Sequence, residues 1–500
     1  MSPHLPDPKR WLVLLAVMLA FLPVVLDMTI LHVAVPTLTQ ALEASNTQVL
    51  WIIDIYPLLM AGLLVPMGTL ADRVGNRRIL LSGLAIFGLA SALAAFAPNA
   101  PLLIATRVML AAGGAMIMPC VLGIIRRTFE DETERGLALG LWGTVGAAGA
   151  AVGPLIGGAL LGHFWWGSVF LINVPVMAVV LPACWFLLPR RETITQGHWP
   201  IGQAVLLILG MIATVYAIKA GFAAKQPFAV VLLILAIGTC LLLLFIRMQL
   251  RSAAPMLDLS LFSRPAIVAG IIMAIVASGS LAGVELTLAQ ELQYVLGKTP
   301  LQAGVFLIPI MAAAALGGPV AGWLSGRFGL RAGPACRWSF HRAAADFHDP
   351  SLVVPILLAA LGLSLSIGLT ASSIAIMGAA EAHEAGAAGS LEATGYELGS
   401  GLGITLFGVF MSVVFGRNLS LPEGIPDVLA QQAALSIGDA YIIAQQVGAD
   451  QEAAIIAAGK VAFSATHSVL LTTAAVLMGL LTILVYCLLH QSRPVRARHH

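Results

Sequence analysis

Charge is what this chain has least of. Of 500 residues, 10% are Asp, Glu, Lys or Arg, against about 25% in soluble globular proteins. With 59% of its residues hydrophobic, a water-soluble fold would leave much apolar surface bare, so lipid must solvate most of the outside. Cysteine is scarce too. Cys120, Cys184, Cys240, Cys336 and Cys487 form no CxxC pair, and four of them sit in apolar runs. That argues against a disulfide framework or a zinc site and for small apolar packing residues. The sequence has no GxxxxGK[ST], HExxH or GxSxG string. Direct driving by ATP and membrane hydrolase chemistry therefore lack their signatures, and the expectation is a non-enzyme without cofactor or metal. A net charge of +2, spread over loops rather than gathered in a patch, leaves no footprint for nucleic acid.

What is present instead is apolar sequence in long runs. About 20 such residues cross the hydrocarbon core as a helix, so a chain of this length has room for roughly 12 to 14 spans. Runs near 12–35, 49–70, 79–97, 101–125, 137–161, 168–188, 201–221, 228–247, 265–289, 302–325, 352–378, 386–414 and 464–488 predict helices, about thirteen in all. Gly and Pro are frequent inside them, which membrane helices tolerate and use for close packing and bends. The N-terminal MSPHLPDPKRW resembles a signal n-region, but the apolar stretch after it is long and lacks an A-x-A site. It reads as an uncleaved first span.

Lys and Arg set the orientation. DRVGNRR (72–78), RRTFEDETER (126–135), PRRE (189–192), RMQLRSAAPMLDLSLFSR (247–264) and GRFGLR (326–331) each follow an even-numbered span. APNAP (97–101) and the turn at Gly162 to Gly167 lack Lys and Arg. The N-terminus, the basic loops and the tail SRPVRARHH (492–500) are thus expected in the cytoplasm. The stretch 415–463 is then a long outward loop. This parity requires an even number of spans after Arg331, whereas three apolar runs appear. The shortfall falls on RAGPACRWSFHRAAADFHDP (331–350), with Arg337, His341, Arg342, Asp346, His348 and Asp349. An unpaired Arg or Asp at the bilayer centre costs about 2.5–3.5 kcal/mol, so the segment is a poor lipid-facing helix. It reads either as an altered reading frame or deletion, or as a buried or re-entrant segment.

Four motifs carry chemistry. GTLADRVGNRR (68–78) has Gly68 and Gly75 for a tight turn and close backbones, with Asp72, Arg73 and Arg77 for charge-assisted contacts to neighbouring helix ends. A weaker copy, GWLSGRFGLR (322–331), has Gly326 where Asp72 stands, and such a parallel repeat suits a two-bundle transporter. LDMTILHVAVP (26–36) places Asp27 inside the first span, where a carboxylate is expensive and marks function. His32, further along it, reads as an interhelical hydrogen bonder. Arg107 precedes Gly113-Gly114-Ala115 in the fourth span, where its fixed charge can govern the proton affinity of a nearby carboxylate. In GTVGAAGAAVGPLIGG (143–158), Gly149, Gly153 and Gly157 recur every four residues on one helix face, and Pro154 removes a helical hydrogen bond.

These motifs together resemble the major facilitator superfamily. The first is similar to its cytoplasmic loop signature. The others, with FWWGSVFLINVP (164–175), are similar to its fourteen-helix drug:proton antiporters, and within them to the methyl viologen and quaternary-ammonium efflux proteins of enteric bacteria. The resemblance implies an all-α integral membrane protein with two six-helix bundles and two linking helices, about fourteen in all. It places the first bundle at 1–195, the linking pair at 196–250 and the second bundle at 251–500. It implies a monomer in the bacterial inner membrane that exports lipophilic cations in exchange for protons by alternating access. The glycine motif of the fifth span is one that symporters of the superfamily generally lack. An uptake symporter is the other transport reading, and a transport-inactive variant follows if 331–350 is damaged.

The candidate proton and cation residues, in order, are Asp27, Glu397 and Glu392, Asp54, and Glu285, with Arg107 as the coupling cation. Glu392 and Glu397 lie about 140° apart on a helix, so they flank a cavity rather than form a dyad. Glu285 and Glu291 fall near the outer end of their helix, at the membrane interface. The candidate gate residues are Gly68, Asp72, Arg73, Gly75, Arg77, Gly149, Gly153, Pro154 and Gly157. The ring faces of Trp51 and Tyr56 are candidate cation–π surfaces for the guest.

Overall fold

The computed structural model describes residues 9–129, 131–189, 199–223, 226–252, 255–256, 259–314, 316, 353–379, 385–422, 424–447 and 449–490. The anomalous segment 331–350 and the second loop motif at 322–331 lie outside the described residues. Among those described, helices are the only regular structure. In hydrocarbon every backbone N–H and C=O must be satisfied within the chain, which an apolar run achieves as a helix. Twelve described helices are long and apolar enough to cross a membrane, and Pro300–Ala314 is a shorter apolar helix. These account for the thirteen apolar runs.

The first half comprises α1 (Lys9–Ala41), α2 (Asn46–Val74), α3 (Asn76–Ala95), α4 (Ala100–Thr128), α5 (Glu132–His163), α6 (Ser168–Leu171) and α7 (Asn173–Leu187). Polar residues close the helix ends. Ser45 and Gln48 form a capping box on α2, Asn99 caps α4 and Asp131 caps α5, each satisfying amide donors that a helix start leaves open. One residue, Gly75, separates α2 from α3. Its φ of 106° is open to glycine and strained for other residues, so the expected tight turn is present. Phe21, Leu84, Phe87, Leu103 and Phe170 are buried in the core of this half.

Two peripheral helices follow, α8 (Ile201–Ala223) and α9 (Phe228–Arg251). They pack on each other where Gly210 meets Leu242 and Gly238 meets Thr214. α8 rests on the outside of α2, with Met211 and Ile208 against Gly62. The Trp199 indole N–H lies 3.2 Å from both the Pro66 carbonyl and the Thr69 hydroxyl.

The second half comprises α10 (Pro265–Gln290), continued by a π-helical turn (Glu291–Val295), then α11 (Pro300–Phe306), α12 (Val353–Ala379), α13 (Ala385–Asn418), α14 (Asp427–Ala433), α15 (Ile437–Ala444) and α16 (Ala449–His490). The outward loop expected over 415–463 is mostly helical. α13 runs on to Asn418, α14 and α15 fill the middle, and α16 begins at Ala449. The soft composition hid an apolar face: Ile437, Ala440, Ile443 and Ala444 are buried against a cluster that includes Phe415 and Phe463. Ser436 starts α15 by accepting the Asp439 N–H at 3.1 Å.

The described contacts between the halves run from the middle of the helices to the end away from the basic loops. Gly304 of α11 backs onto the Pro154 carbonyl, and Gly158 of α5 onto Leu301. Leu58 and Leu50 of α2 lie against Gly401 and Gly408 of α13. At the basic end the described ion pairs stay within the first half. Arg10 donates to Glu134 at 2.5 Å, and Arg127 stands 3.8 Å from Asp72.

Candidate functional site

Asp27 lies in the middle of α1 and is 1% exposed. Its Oδ2 accepts a hydrogen bond from Arg107 Nη1, and its Oδ1 has no partner among the described residues. Arg107, from α4, is equally buried. Its Nε donates to the Ile52 carbonyl at 3.0 Å. Its guanidinium stands 4.6 Å from the centre of the Tyr56 ring and 5.9 Å from that of Phe170. A buried guanidinium keeps its charge, and here a carboxylate, a carbonyl and two ring faces replace its water. Asp27 is therefore not a bare carboxylate offered to a guest; in this conformation Arg107 neutralises it.

The glycines of α5 build the wall beside this pair. A Cβ on Gly149 would lie 3.0 Å from Leu22 Cδ1, one on Gly153 3.1 Å from Thr29 Cβ, and one on Gly157 3.1 Å from the Ile30 carbonyl. The face predicted from the four-residue spacing is thus the face that presses on α1 around Asp27. The next residue round the helix, Pro154, meets Gly304 of α11, so α5 touches α1 on one side and the other half on the other.

Three acids occupy other places. Glu397 on α13 is 4% exposed, and its Oε2 has no hydrogen-bond partner among the described residues. No described salt bridge reaches it. Glu392, one turn and a little earlier, is half-buried and turned aside. The Tyr396 hydroxyl lies 2.6 Å from its Oε1 and 3.1 Å from the Leu369 carbonyl of α12. The two glutamates form no dyad, as their angular separation predicts. Asp54 on α2 is fully buried and accepts from the Thr405 hydroxyl of α13 at 2.6 Å, a hydrogen bond between the halves.

Glu285, near the outer end of its helix, is enclosed by protein. It is 3% exposed, and its Oε2 lies 3.1 Å from His32 Nδ1. Glu291 is buried as well and accepts from Ser464 at 2.7 Å. Both stand near the end of their span: Glu285 lies against α1 at His32, and Glu291 opens the π-helical turn and meets Ser464 of α16. His32 is the interhelical hydrogen bonder the sequence suggested, and its partner lies in the other half. The aromatic expectation also changes. The Tyr56 ring face is taken by Arg107, and Trp51 stacks on Tyr216 of α8 with centroids 6.0 Å apart.

The loop motif is a set of contacts inside the first half. Asp72 faces Arg127 at the end of α4. Arg77 donates to the Trp185 carbonyl at 2.8 Å and lies 4.9 Å from the centre of its ring. Arg73 Nη1 is buried with no hydrogen-bond partner among the described residues. Gly68 faces Pro119 of α4 at ordinary contact distance. Asp72 and Arg127 are both more than a third exposed, so their pair contributes about 0–1 kcal/mol in this conformation.

Sequence reasoning missed the Tyr56–Arg107 stack, the Thr405 partner of Asp54 and the His32–Glu285 bond. Each joins residues far apart in the chain, and neither spacing nor periodicity carries a signal for them.

Two halves of apolar helices in contact at one end, with a buried ion pair in the first and, in the second, a buried acid that has no salt-bridge partner among the described residues, make up a multi-pass membrane transporter. The chain belongs to the Major Facilitator Superfamily, whose family model matches residues 17–341. Over 481 residues it is 45% identical to the methyl viologen resistance protein SmvA of Salmonella typhimurium, covering 95% of this chain and 97% of that one. It is 34% identical over 465 residues to the multidrug efflux pump LfrA of Mycolicibacterium smegmatis, covering 91% of each. Among solved structures, a bacterial homologue of the human lysosomal transporter Spinster, inward-facing and occupied, superposes with a TM-score of 0.69 at 18% identity, covering 98% of this chain and 99% of that one. That likeness is one of fold.

Proposed function

We propose that this transporter is a proton-coupled multidrug efflux antiporter of the bacterial inner membrane. Its substrates are lipophilic cations: quaternary ammonium compounds, methyl viologen, dyes and cationic biocides. The observation that carries this reading is the unequal state of two buried acids. Asp27 is held by Arg107, and Glu397 has no cationic partner among the described residues. In a low-dielectric interior a carboxylate without a counter-charge is stabilised either by a proton or by a cationic guest. Competition between the two at Glu397 supplies the exchange. Asp27 serves as the second proton site, free to protonate when Arg107 moves away. Asp54 and Glu285 hold the halves together across the seam, Glu392 lies to one side, and the glycines of α5 set how closely α1 and α11 approach.

The names of the similar proteins support export of toxic compounds, and the glycine motif of α5 supports it over uptake. In this reading the N-terminus and basic loops face the cytoplasm, one chain works alone, and Asp72, Arg73 and Arg77 belong to the gate on that side.

Everted vesicles provide the test. Adding methyl viologen or tetraphenylphosphonium to energised vesicles should release protons and dequench a pH dye, and Asp27→Asn should abolish that release. Proton movement in the opposite sense would indicate uptake. Unchanged exchange in Asp27→Asn would remove that residue from the mechanism.

A further inference from the structure

The end of α9 carries two arginines, Arg247 and Arg251, one helical turn apart. Both are exposed, and neither takes part in a salt bridge among the described residues. Like charges four residues apart on a helix repel each other. Arg251 lies in the last turn, where the negative end of the helix dipole favours a cation. Arg247 stands a full turn earlier, where that field has faded. Both side chains line one cleft between α8 and α9, so they do not relieve their repulsion by turning to opposite faces.

The cleft measures about 330 Å³ and is open to the outside. That size falls in the range of small-molecule sites, roughly 300–1,000 Å³. Gln203, Leu244, Met248 and Ser252 complete its described lining, which holds no Asp or Glu. A buried glutamine fixes its floor: Gln249 donates to the Gln203 Oε1 at 2.7 Å and accepts from the Met256 N–H at 2.8 Å. With its oxygen engaged, Gln203 has amide N–H donors left for the cleft. Guanidinium groups and amide donors without a neighbouring acid suit an oxyanion, a phosphate above all. Further into the membrane the same two helices turn an apolar face outward. Leu243 and Leu244 of α9 are 59% and 47% exposed, and Val205 and Leu209 of α8 are 45% and 51% exposed.

We propose that this cleft binds the headgroup of an anionic phospholipid. The phosphodiester sits between Arg247 and Arg251, and the acyl chains run along the apolar faces of α8 and α9. Charge selects the phosphate, since an anion held between the guanidinium groups turns their repulsion into shared attraction. The apolar face next to them selects a lipid over a soluble anion. A zwitterionic lipid brings its own ammonium group to the arginines and is a poorer occupant. Basic pockets between membrane helices bind anionic headgroups in this way. Of the described spans, α9 and α8 are the least buried, at 17% and 22% of their apolar windows. A lipid bridging them supplies a contact that the rest of the protein does not.

The experiment titrates the full-length protein in detergent with dioleoylphosphatidylglycerol and follows bound lipid by native mass spectrometry. Affinity should fall about fivefold in Arg247→Gln and about fivefold again when Arg251→Gln is added. The lipid should raise the melting temperature of the parent and leave that of the double variant unchanged. Replacing both arginines by lysine keeps the charges and should restore much of the affinity. Arg78→Gln removes another exposed arginine from a basic loop and should bind as the parent does. Equal affinity of parent and double glutamine variant overturns the site. Equal weakening in Arg78→Gln also overturns it, since the attraction would then belong to the whole basic surface. Dioleoylphosphatidylcholine bound as tightly as the anionic lipid refutes the role of charge. Displacement of the lipid by inorganic phosphate at equal concentration refutes a lipid occupant in favour of a soluble anion.

Discussion

Asp27 and Arg107 are each intelligible alone as costly residues in a membrane helix, but their meaning changes once they are seen bonded. Removing either charge strands the other in an apolar site, and breaking a buried pair from one side costs about 3–5 kcal/mol. Arg107→Ala should therefore lower the melting temperature in detergent as well as abolish transport. Asp27→Asn keeps a hydrogen-bond acceptor for the guanidinium, so most of its effect should appear in proton release. Glu397 gives the contrasting case. It has no partner to lose among the described residues, so Glu397→Gln should fold as well as the parent or better. It should also weaken tetraphenylphosphonium binding by about tenfold, the size of effect expected on removing one desolvated charge contact. A variant that binds the cation as before would place the guest elsewhere. At this scale the sequence marked Asp27, Asp54 and Glu397 as acids inside spans, and the structure encloses all three, as it does Glu285 near a helix end. Position near a helix end does not reveal that a neighbouring helix covers it.

The glycine motif of α5 belongs to the scale of elements. Every fourth residue was legible in the sequence as a smooth face, and α1 proved to be its partner at Leu22, Val25, Thr29 and Ile30. Gly153→Ala drives a methyl group into Thr29 within one half, and overpacking of this kind costs about 1–3 kcal/mol. Its expected signature is a lower melting temperature with both ends of the transporter still able to open. Gly304→Ala is the complementary case. There a methyl would press on the Pro154 carbonyl of the opposite half. This variant should fold normally and shift the population toward the conformer in which α5 and α11 part. Labelling of a cysteine introduced at Leu155 by a membrane-impermeant maleimide should then rise. Equal labelling in parent and variant would show that this contact does not change between states. The helices α14 and α15 illustrate the reverse situation, in which an element was overlooked. Their turn-like composition with scattered Asp, Ser and Gly reads as loop, and only burial against Phe415 and Phe463 organises it.

At the scale of the whole molecule, polar bonds tie the halves together at the end away from the basic loops. His32 meets Glu285, Gln293 donates to the Val33 carbonyl at 2.9 Å, Asn46 donates to the Leu435 carbonyl at 3.3 Å and Thr405 donates to Asp54. Opening that end requires these bonds to break together. Polar groups in contact couple by about 0.5–3 kcal/mol, and a double-mutant cycle isolates that coupling. His32→Ala and Glu285→Ala should therefore be non-additive when the readout is accessibility of a cysteine near Val33 from the far side. Strict additivity would show that the contact carries no coupling. The seam also takes in α15 and the turn before it, which touch the first half at Thr39 and Asn46.

The sequence by itself determined that this chain lives in lipid, roughly how many times it crosses, where the basic loops fall, and that Asp27, Arg107 and the α5 glycines are the residues to watch. Each of these follows from local quantities: hydropathy along a run, charge in a loop, or small residues at a helical repeat. Only the tertiary structure decided that Asp27 is paired while Glu397 has no counter-charge among the described residues, that the Tyr56 ring lies beneath Arg107, and that His32 answers Glu285. Desolvation, pairing and contact between halves depend on distances in space among residues up to a few hundred positions apart. No pattern along one strand of sequence encodes such distances.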